Sequence, residues 1–388
     1  MRILVVNSGS SSLKLRVLEV DDDSDHDRGP GVEPARIWSR DEPPISELSD
    51  GAISDLLSDA PDVDAAGHRI VHGGAEFTGP ALLDEQVLKQ LEELADLAPL
   101  HQPPALRAAR ALTRARPNLP AVACFDTSFH RTMPEAAVTY PLPESWRRHP
   151  IQRYGFHGLS HAWVARRVAA LVQVGPGGSE IGGAGELRLV SCHLGAGASL
   201  AAIHDGRCVD TTMGFTPLEG LAMATRSGNV DPGLVLWLIR RAGLTPDQVE
   251  HGLNHESGLA GLAGNADMRT VLNLADAGDE AASLAIEVYL RRLRAGIAGM
   301  ATAMGGLDAL AFTGAIGEHA WQIRAGAAEG LEFMGVRLDA GTNQAAAANE
   351  HADVELTGPA ATVRSYCVQT REDIEIAQDT VALLTGGR

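Results

Sequence analysis

Two stretches of the chain share one pattern, an apolar run that breaks into small residues and then resumes. Arg2-Ile3-Leu4-Val5-Val6 reads as a buried strand. It gives way to Asn7-Ser8-Gly9-Ser10-Ser11-Ser12, after which Leu13-Lys14-Leu15-Arg16-Val17-Leu18 alternates apolar with cationic residues, the period of a half-buried strand. The pattern predicts a β-hairpin. It recurs in the second half of the chain, where residues 187–192 form the run, His193-Leu194-Gly195-Ala196-Gly197-Ala198 the tip and residues 199–203 the return. Further strands are expected at 65–71, 121–125, 307–312 and 362–368. Helical periodicity covers 82–97, 105–114, 161–172 behind a Ser160 cap, a stretch from Pro232, and 281–304; Thr370-Arg371-Glu372-Asp373 opens a terminal helix. Strands alternating with helices indicate an α/β class. At 388 residues the chain exceeds what one core usually serves, so two domains are expected, 1–150 with 373–388 and 151–372.

The tips carry the first candidate chemistry. Gly, Ser and a leading Asn offer backbone N–H groups, hydroxyls and an amide oxygen in a small volume, which suits phosphate oxygens and a hydrated Mg²⁺, although an ordinary Ser/Gly turn has the same composition. Lys14 adds a point charge beside the first tip. Lys14 and Lys89 are the only lysines and each follows leucine, so a Walker-type phosphate loop is excluded. Most of the positive charge is therefore arginine.

Composition narrows the partners. The net charge of −18 repels nucleic acid and anionic membranes, so an anionic substrate requires locally concentrated cations. No apolar run is long enough to span a bilayer, and Met1-Arg2 leads into the first strand without a cleavage site, which points to a cytoplasmic location. Cys124, Cys192, Cys208 and Cys367 are far apart, without metal-ligand spacing, and read as reduced core residues. Residues 19–34 read as a solvated acidic loop and 175–185 as a glycine-rich surface loop.

Other segments place reactive groups at strand ends. Gly67-His68-Arg69-Ile70-Val71-His72-Gly73-Gly74 carries Arg69 on a strand that ends in a glycine pair. Asp126 follows the 121–125 strand directly, where ligands of open α/β sheets bind, and a helix cap is the competing reading. In Arg153-Tyr154-Gly155-Phe156-His157-Gly158, two glycines free His157 to project. A long irregular segment from Asp210 to Gly220 is followed by Ala224-Thr225-Arg226-Ser227-Gly228. Asp267-Met268-Arg269 follows a glycine-rich loop, and Thr313-Gly314-Ala315-Ile316-Gly317-Glu318 reads as a third glycine turn, suited to the sugar or base of a nucleotide.

Taken in order, these segments resemble the acetate kinase family of the actin-like sugar-kinase superfamily. The resemblance implies two actin-like (ribonuclease-H-like) domains with the active site in the cleft between them. It also implies transfer of the ATP γ-phosphoryl group to acetate, giving acetyl phosphate and ADP, with Mg²⁺ or Mn²⁺. By position, Asn7 and Glu372 would hold the metal or its waters, and the last helix would return to the first domain so that Glu372 reaches Asn7. Ser10, Ser12 and Lys14 would contact phosphate, and Arg69 and Arg226 would clamp the carboxylate and the moving phosphoryl group. His157 would stabilise that group in flight. Asp126 is the family's acid/base, but a carboxylate acceptor is already ionised at neutral pH, so orienting an arginine or a metal-bound water fits it better. Val71, Leu100, Phe156 and Pro217 match the acyl pocket. His193, Leu194, Gly195, Ala196, Gly197, Asp267, Met268, Arg269, Ala315, Ile316, Gly317, Glu318 and His319 fall on the nucleotide-binding segments.

The chain departs from the family pattern at Ala196, Gly314-Ala315, His319, Ala224, Asn229, Leu159 and Arg371, mostly on the nucleotide side. Another nucleotide or pyrophosphate therefore stays open as donor. Propionate and butyrate stay open as acceptors, because one methylene changes discrimination by only about 1–3 kcal/mol. A non-catalytic actin-like ATP switch or chaperone is the reading from another class, and the apolar acceptor residues beside Arg69, His157 and Arg226 argue against it. The family implies a homodimer.

Overall fold

The computed structural model describes residues 1–9, 12–20, 33–99, 101–174, 187–349 and 352–386. Its elements begin with β1 (Arg2–Ser8), β2 (Leu13–Glu19), β3 (Ala35–Glu42), α1 (Asp50–Ser58), β4 (Ala65–Ile70), β5 (Ala81–Leu82), α2 (Glu85–Glu92), α3 (Gln102–Ala115), β6 (Ala121–Phe125), α4 (Glu135–Val138) and α5 (Gly158–Val174). They continue with β7 (Arg188–Leu194), β8 (Ala198–His204), β9 (Arg207–Thr211), α6 (Pro232–Arg240), α7 (Pro246–His255), α8 (Gly258–Ala263), α9 (Met268–Asp276) and α10 (Glu280–Ala303). Then follow β10 (Ala309–Thr313), α11 (Gly314–His319), α12 (Trp321–Glu329), α13 (Ala340–Ala346), β11 (Val354–Glu355), β12 (Arg364–Cys367) and α14 (Glu372–Thr385).

The chain divides into two compact units. Met1–Arg131, Pro141–Val174 and Arg371–Arg388 make the first, Thr132–Tyr140 and Gly175–Thr370 the second. Among the described residues each holds one six-stranded sheet, in the order β3-β2-β1-β4-β6-β5 and, read from the corresponding edge, β9-β8-β7-β10-β12-β11. In both, the first three strands are antiparallel, the next two add in parallel, and the last edge strand is antiparallel. One mixed α/β topology is thus used twice, as the repeated hairpins predicted.

In the first unit, β1 and β4 are buried over almost their whole length, which fits strands covered on both faces. One face packs on α1, α2 and α3 through Leu4, Leu15, Ile53, Ala66, Ile70 and Leu106. Gly67 faces α14, where a Cβ would sit 2.4 Å from Thr380 Oγ1 and 2.6 Å from Ile376 Cγ2. The missing side chain lets the helix lie directly on the strand and so sets the position of Glu372 at its start.

Several expectations change. β3 and β9 were not anticipated, because β3 is a largely exposed edge strand and β9 is short. α2 ends at Glu92 and a 3₁₀ turn at Ala95–Leu97 replaces the rest of the expected 82–97 helix. α3 begins at Gln102, so Pro103 and Pro104 open the helix instead of preceding it; proline is accommodated in a first turn because its missing N–H has no intrahelical partner there. α5 starts at Gly158, which puts Ser160 inside its first turn. The expected glycine turn at 313–318 is the short helix α11. The 175–185 loop lies outside the described residues. The four cysteines are buried and form no disulfide, as expected of core residues.

Candidate active site

In the first unit, four expected site residues form one hydrogen-bonded cluster. Strand pairing sets Asn7 opposite Lys14 across the hairpin, and Val6 lies beside His68 on β4. Arg69, next along β4, turns to the α14 face. Its Nε donates to both oxygens of Asp126 at 3.0 and 3.2 Å, and its Nη2 donates to Oδ2 at 2.7 Å. Its Nη1 reaches Asn7 Oδ1 and Glu372 Oε2, both at 3.3 Å. Asn7 Nδ2 closes the ring by donating to Glu372 Oε2 at 2.8 Å, the approach the terminal helix was expected to allow. All four side chains are buried or nearly so.

The charges explain one another. Burial works against the Arg69 cation, but Asp126 and Glu372 outweigh it and raise its pKa. Burial raises the pKa of Asp126, against the fork of Arg69 and a backbone N–H of His157. A guanidinium has five N–H groups. Asp126, Asn7 and Glu372 engage four of those on Arg69, so one remains for a substrate oxygen. A two-pronged Arg69 clamp on a carboxylate would therefore require release of one of these partners. The Asp126 carboxylate holds the arginine and also accepts the His157 N–H just ahead of α5.

His157 is held at the same place through the backbone. Gly158 N donates to Asp126 O at 2.8 Å, and a Cβ at Gly158 would stand 2.1 Å from that oxygen. His157 itself adopts φ +56°, the left-handed region that residues with a Cβ rarely occupy. Phe156 is buried, lies edge-on to His72 at 5.4 Å, and its carbonyl meets His130 Nε2 at 2.9 Å. Val71, also buried, precedes His72. Lys14 is exposed and Ser12 half-buried; Gly9 N donates to Ser12 O across the tip. Ser10 and Leu100 lie outside the described residues.

In the second unit the glycine-rich tip gathers two other segments. β7 and β8 extend to Leu194 and Ala198, leaving Gly195, Ala196 and Gly197 as the turn, closed by Gly195 N to Gly197 O at 3.0 Å. Leu194 is fully buried in the core, so only its backbone borders the tip. β10 pairs with β7 as far as Thr313 beside His193, and α11 starts there; a Cβ on Gly314, at φ +79°, would be 2.7 Å from Leu194 O. The start of α11 thus lies against the end of β7, with Gly317 also beside Leu194, while His319 Nδ1 is 3.4 Å from Ala347 O. Ala224 N donates to Ala196 O at 3.2 Å, and Arg226 Nη1 to Pro217 O at 2.8 Å, which brings in the Arg226 segment. Burial lowers the Arg226 pKa to about 10, still positive at neutral pH. Asp267 caps α9 by accepting from Thr270 N at 2.8 Å; Met268 is buried, Arg269 is exposed, and the hydrogen bonds of Asp267 are local.

Two supporting residues escaped the sequence reading. Tyr140 donates to Glu219 and accepts from Phe215 N at 2.9 Å, bracing the loop that holds Pro217. Thr370 donates to Glu318 Oε1 at 2.7 Å and accepts from Gly314 N at 2.8 Å, so the Glu318 carboxylate fastens α11. No local sequence pattern marks such residues; the packing that requires Gly214, where a Cβ would overlap both Tyr140 and Glu219, exists only in the folded chain.

A mixed sheet used twice, with a glycine-rich hairpin in each copy, defines a two-domain actin-like α/β protein. The chain belongs to the acetokinase family, whose model matches residues 45–378. It is 43% identical to an acetate kinase of Pseudarthrobacter chlorophenolicus, over the full length of both chains. Among solved structures it is similar to the Porphyromonas gingivalis acetate kinase, at 32% identity and a TM-score of 0.82 over 99% of each chain. It is equally similar to a Francisella tularensis propionate kinase, at 31% identity and 0.82 over 97% of this chain and 98% of that one.

Proposed function

We propose that the protein catalyses reversible transfer of the ATP γ-phosphoryl group to acetate, giving acetyl phosphate and ADP. A carboxylate oxygen forms the new bond to γ-phosphorus while the bond from phosphorus to the bridging oxygen breaks, and ADP leaves with the electron pair. Charge in this transition state spreads over three equatorial oxygens, so catalysis rests on positioning and cationic stabilisation. The acceptor is ionised before it binds, so no base is needed, and Asp126 serves by holding Arg69. Arg226 and the remaining Arg69 N–H bind anionic oxygens, and the imidazole of His157 stabilises the phosphoryl group in transfer. Val71, Leu100, Phe156 and Pro217 contact the acyl chain.

Asn7 and Glu372, one amide oxygen and one carboxylate, would hold a Mg²⁺ ion through its waters once Arg69 Nη1 releases the two oxygens it now contacts. When bound, that ion neutralises phosphate oxygens. Ser10, Ser12, Lys14 and the 193–197, 267–269 and 315–319 segments take the nucleotide. The same reading extends to a cytoplasmic homodimer. Propionate is the second acceptor, favoured by the equal similarity to the propionate kinase.

The observation that carries this reading is the Asn7–Arg69–Asp126–Glu372 cluster, in a chain of this family. Trapping acyl phosphate with hydroxylamine, using acetate, propionate and butyrate crossed with ATP, GTP and pyrophosphate, tests it. Hydroxamate from acetate and ATP is expected; ATP turnover without hydroxamate overturns it.

A further inference from the structure

His72 adjoins two of the residues assigned above to the acyl chain. It follows Val71 along the backbone, and its ring meets that of Phe156 edge-on, with centroids 5.4 Å apart and planes at 70°. It is fully buried, and no step of phosphoryl transfer uses it. Its surroundings fix it closely. β4 ends at Ile70, yet both backbone groups of His72 are paired, because the side-chain amide of Gln102, at the start of α3, takes the place of a neighbouring strand. His72 N donates to Gln102 Oε1 at 3.1 Å, and Gln102 Nε2 donates to His72 O at 3.0 Å. The ring is fixed as well. Its Nδ1 accepts from Gly74 N at 2.8 Å, and Tyr154 packs edge-on at 4.5 Å.

Phe156 is held through its backbone. Its carbonyl accepts from His130 Nε2 at 2.9 Å, and the residues on either side, Gly155 at φ +75° and His157 at φ +56°, both take the left-handed conformation. A backbone so bent and tethered does not slide, so the reach of the Phe156 ring depends on what stands against that ring. Edge-on aromatic pairs hold each other in place, and in a close-packed interior a side chain moves only into space left empty. His72 fills that space. We propose that His72 is a specificity-determining residue behind the acyl wall: its clamped ring keeps Phe156 forward and so limits the length of the carboxylate that is accepted.

The assignment rests on the carboxylate-kinase reading above and goes further by naming what sets the chain length. Two substitutions separate the ring from its hydrogen bond. His72→Asn keeps an acceptor for Gly74 N and empties the space of the ring, whereas His72→Phe keeps a ring and loses the acceptor. For each variant, kcat/KM is measured with acetate, propionate and butyrate on one preparation, so that any loss of folded protein cancels in the ratio. His72→Asn is expected to raise the propionate-to-acetate ratio by roughly tenfold, the worth of one methylene, while His72→Phe leaves it close to wild type. His72→Ser, with a hydroxyl as acceptor, shifts the ratio in the same direction and serves should the asparagine variant not fold. An unchanged ratio in the variants without a ring overturns the assignment, since a merely structural histidine lowers activity toward all acceptors alike. A shift as large in His72→Phe as in His72→Asn also overturns it, because the hydrogen bond to Gly74 and not the ring would then set the wall. Absence of acyl phosphate from the wild-type chain with every acceptor overturns the reaction itself.

Discussion

His157 shows how the candidate site trades local comfort for placement. A residue with a Cβ in the left-handed region costs about 1–2 kcal/mol, and here the Asp126 carbonyl fixes the following residue so that the conformation persists. His157→Gly is expected to abolish phosphoryl transfer while leaving the melting temperature unchanged or higher, whereas His157→Val loses both; calorimetry beside an activity assay checks this. Asp126→Asn leaves Arg69 without its anionic fork. We expect kcat/KM to fall by roughly 10²-fold, as for loss of a positioned charge, and the Mg²⁺ requirement to rise as Arg69 turns onto Glu372. If Asp126 were a general base, the loss would instead appear as a missing limb of the pH–rate profile. At this scale the meeting of Asn7 with Glu372 was expected from the family resemblance, and both join Arg69 and Asp126 in one cluster. That its neighbours take all but one N–H of Arg69 was not legible, since hydrogen-bond counts depend on folded geometry.

At the scale of elements, the approach of α14 to β4 decides whether Glu372 reaches Asn7. Gly67→Ala would place a methyl within 2.6 Å of Ile376 Cγ2 and nearer still to Thr380 Oγ1. The helix must shift, so a destabilisation of about 1–3 kcal/mol is expected, with a larger fractional loss of activity than of folded protein; denaturant titration and kinetics separate the two. Thr380→Ala in the same chain should recover part of both. The hairpins, β4, β6 and the terminal helix were readable from period and position. β3 and β9 were not, because edge strands need bury little, and α11 was read as a turn because three of its first four residues are glycine or alanine beside a strand end. The prolines of α3 misled for the opposite reason, since a breaker inside a helix is a good opener of one.

At the scale of the molecule, the repeated topology was legible because each sheet begins with the same kind of hairpin, while Tyr140 lies far in sequence from the loop it braces and left no trace. Buried histidines link stability to pH. Burial lowers the pKa of His68 to about 4, and that of His130 to about 4 against a raising contact from Phe156 O, compared with an ordinary 6.5. Between those values the unfolded chain binds the extra protons. Stability is therefore full above pH 6.5 and falls as pH drops towards 4, on the order of 3 kcal/mol per histidine. Melting temperatures from pH 7 to 4 should show this fall, and His68→Leu should remove about half of it, leaving the part due to His130. The most direct test of the whole account is ³¹P NMR of the purified chain with Mg²⁺, ATP and acetate. The prediction is one acetyl phosphate formed for each ADP; inorganic phosphate accumulating in its place, with no acyl phosphate signal, would contradict it.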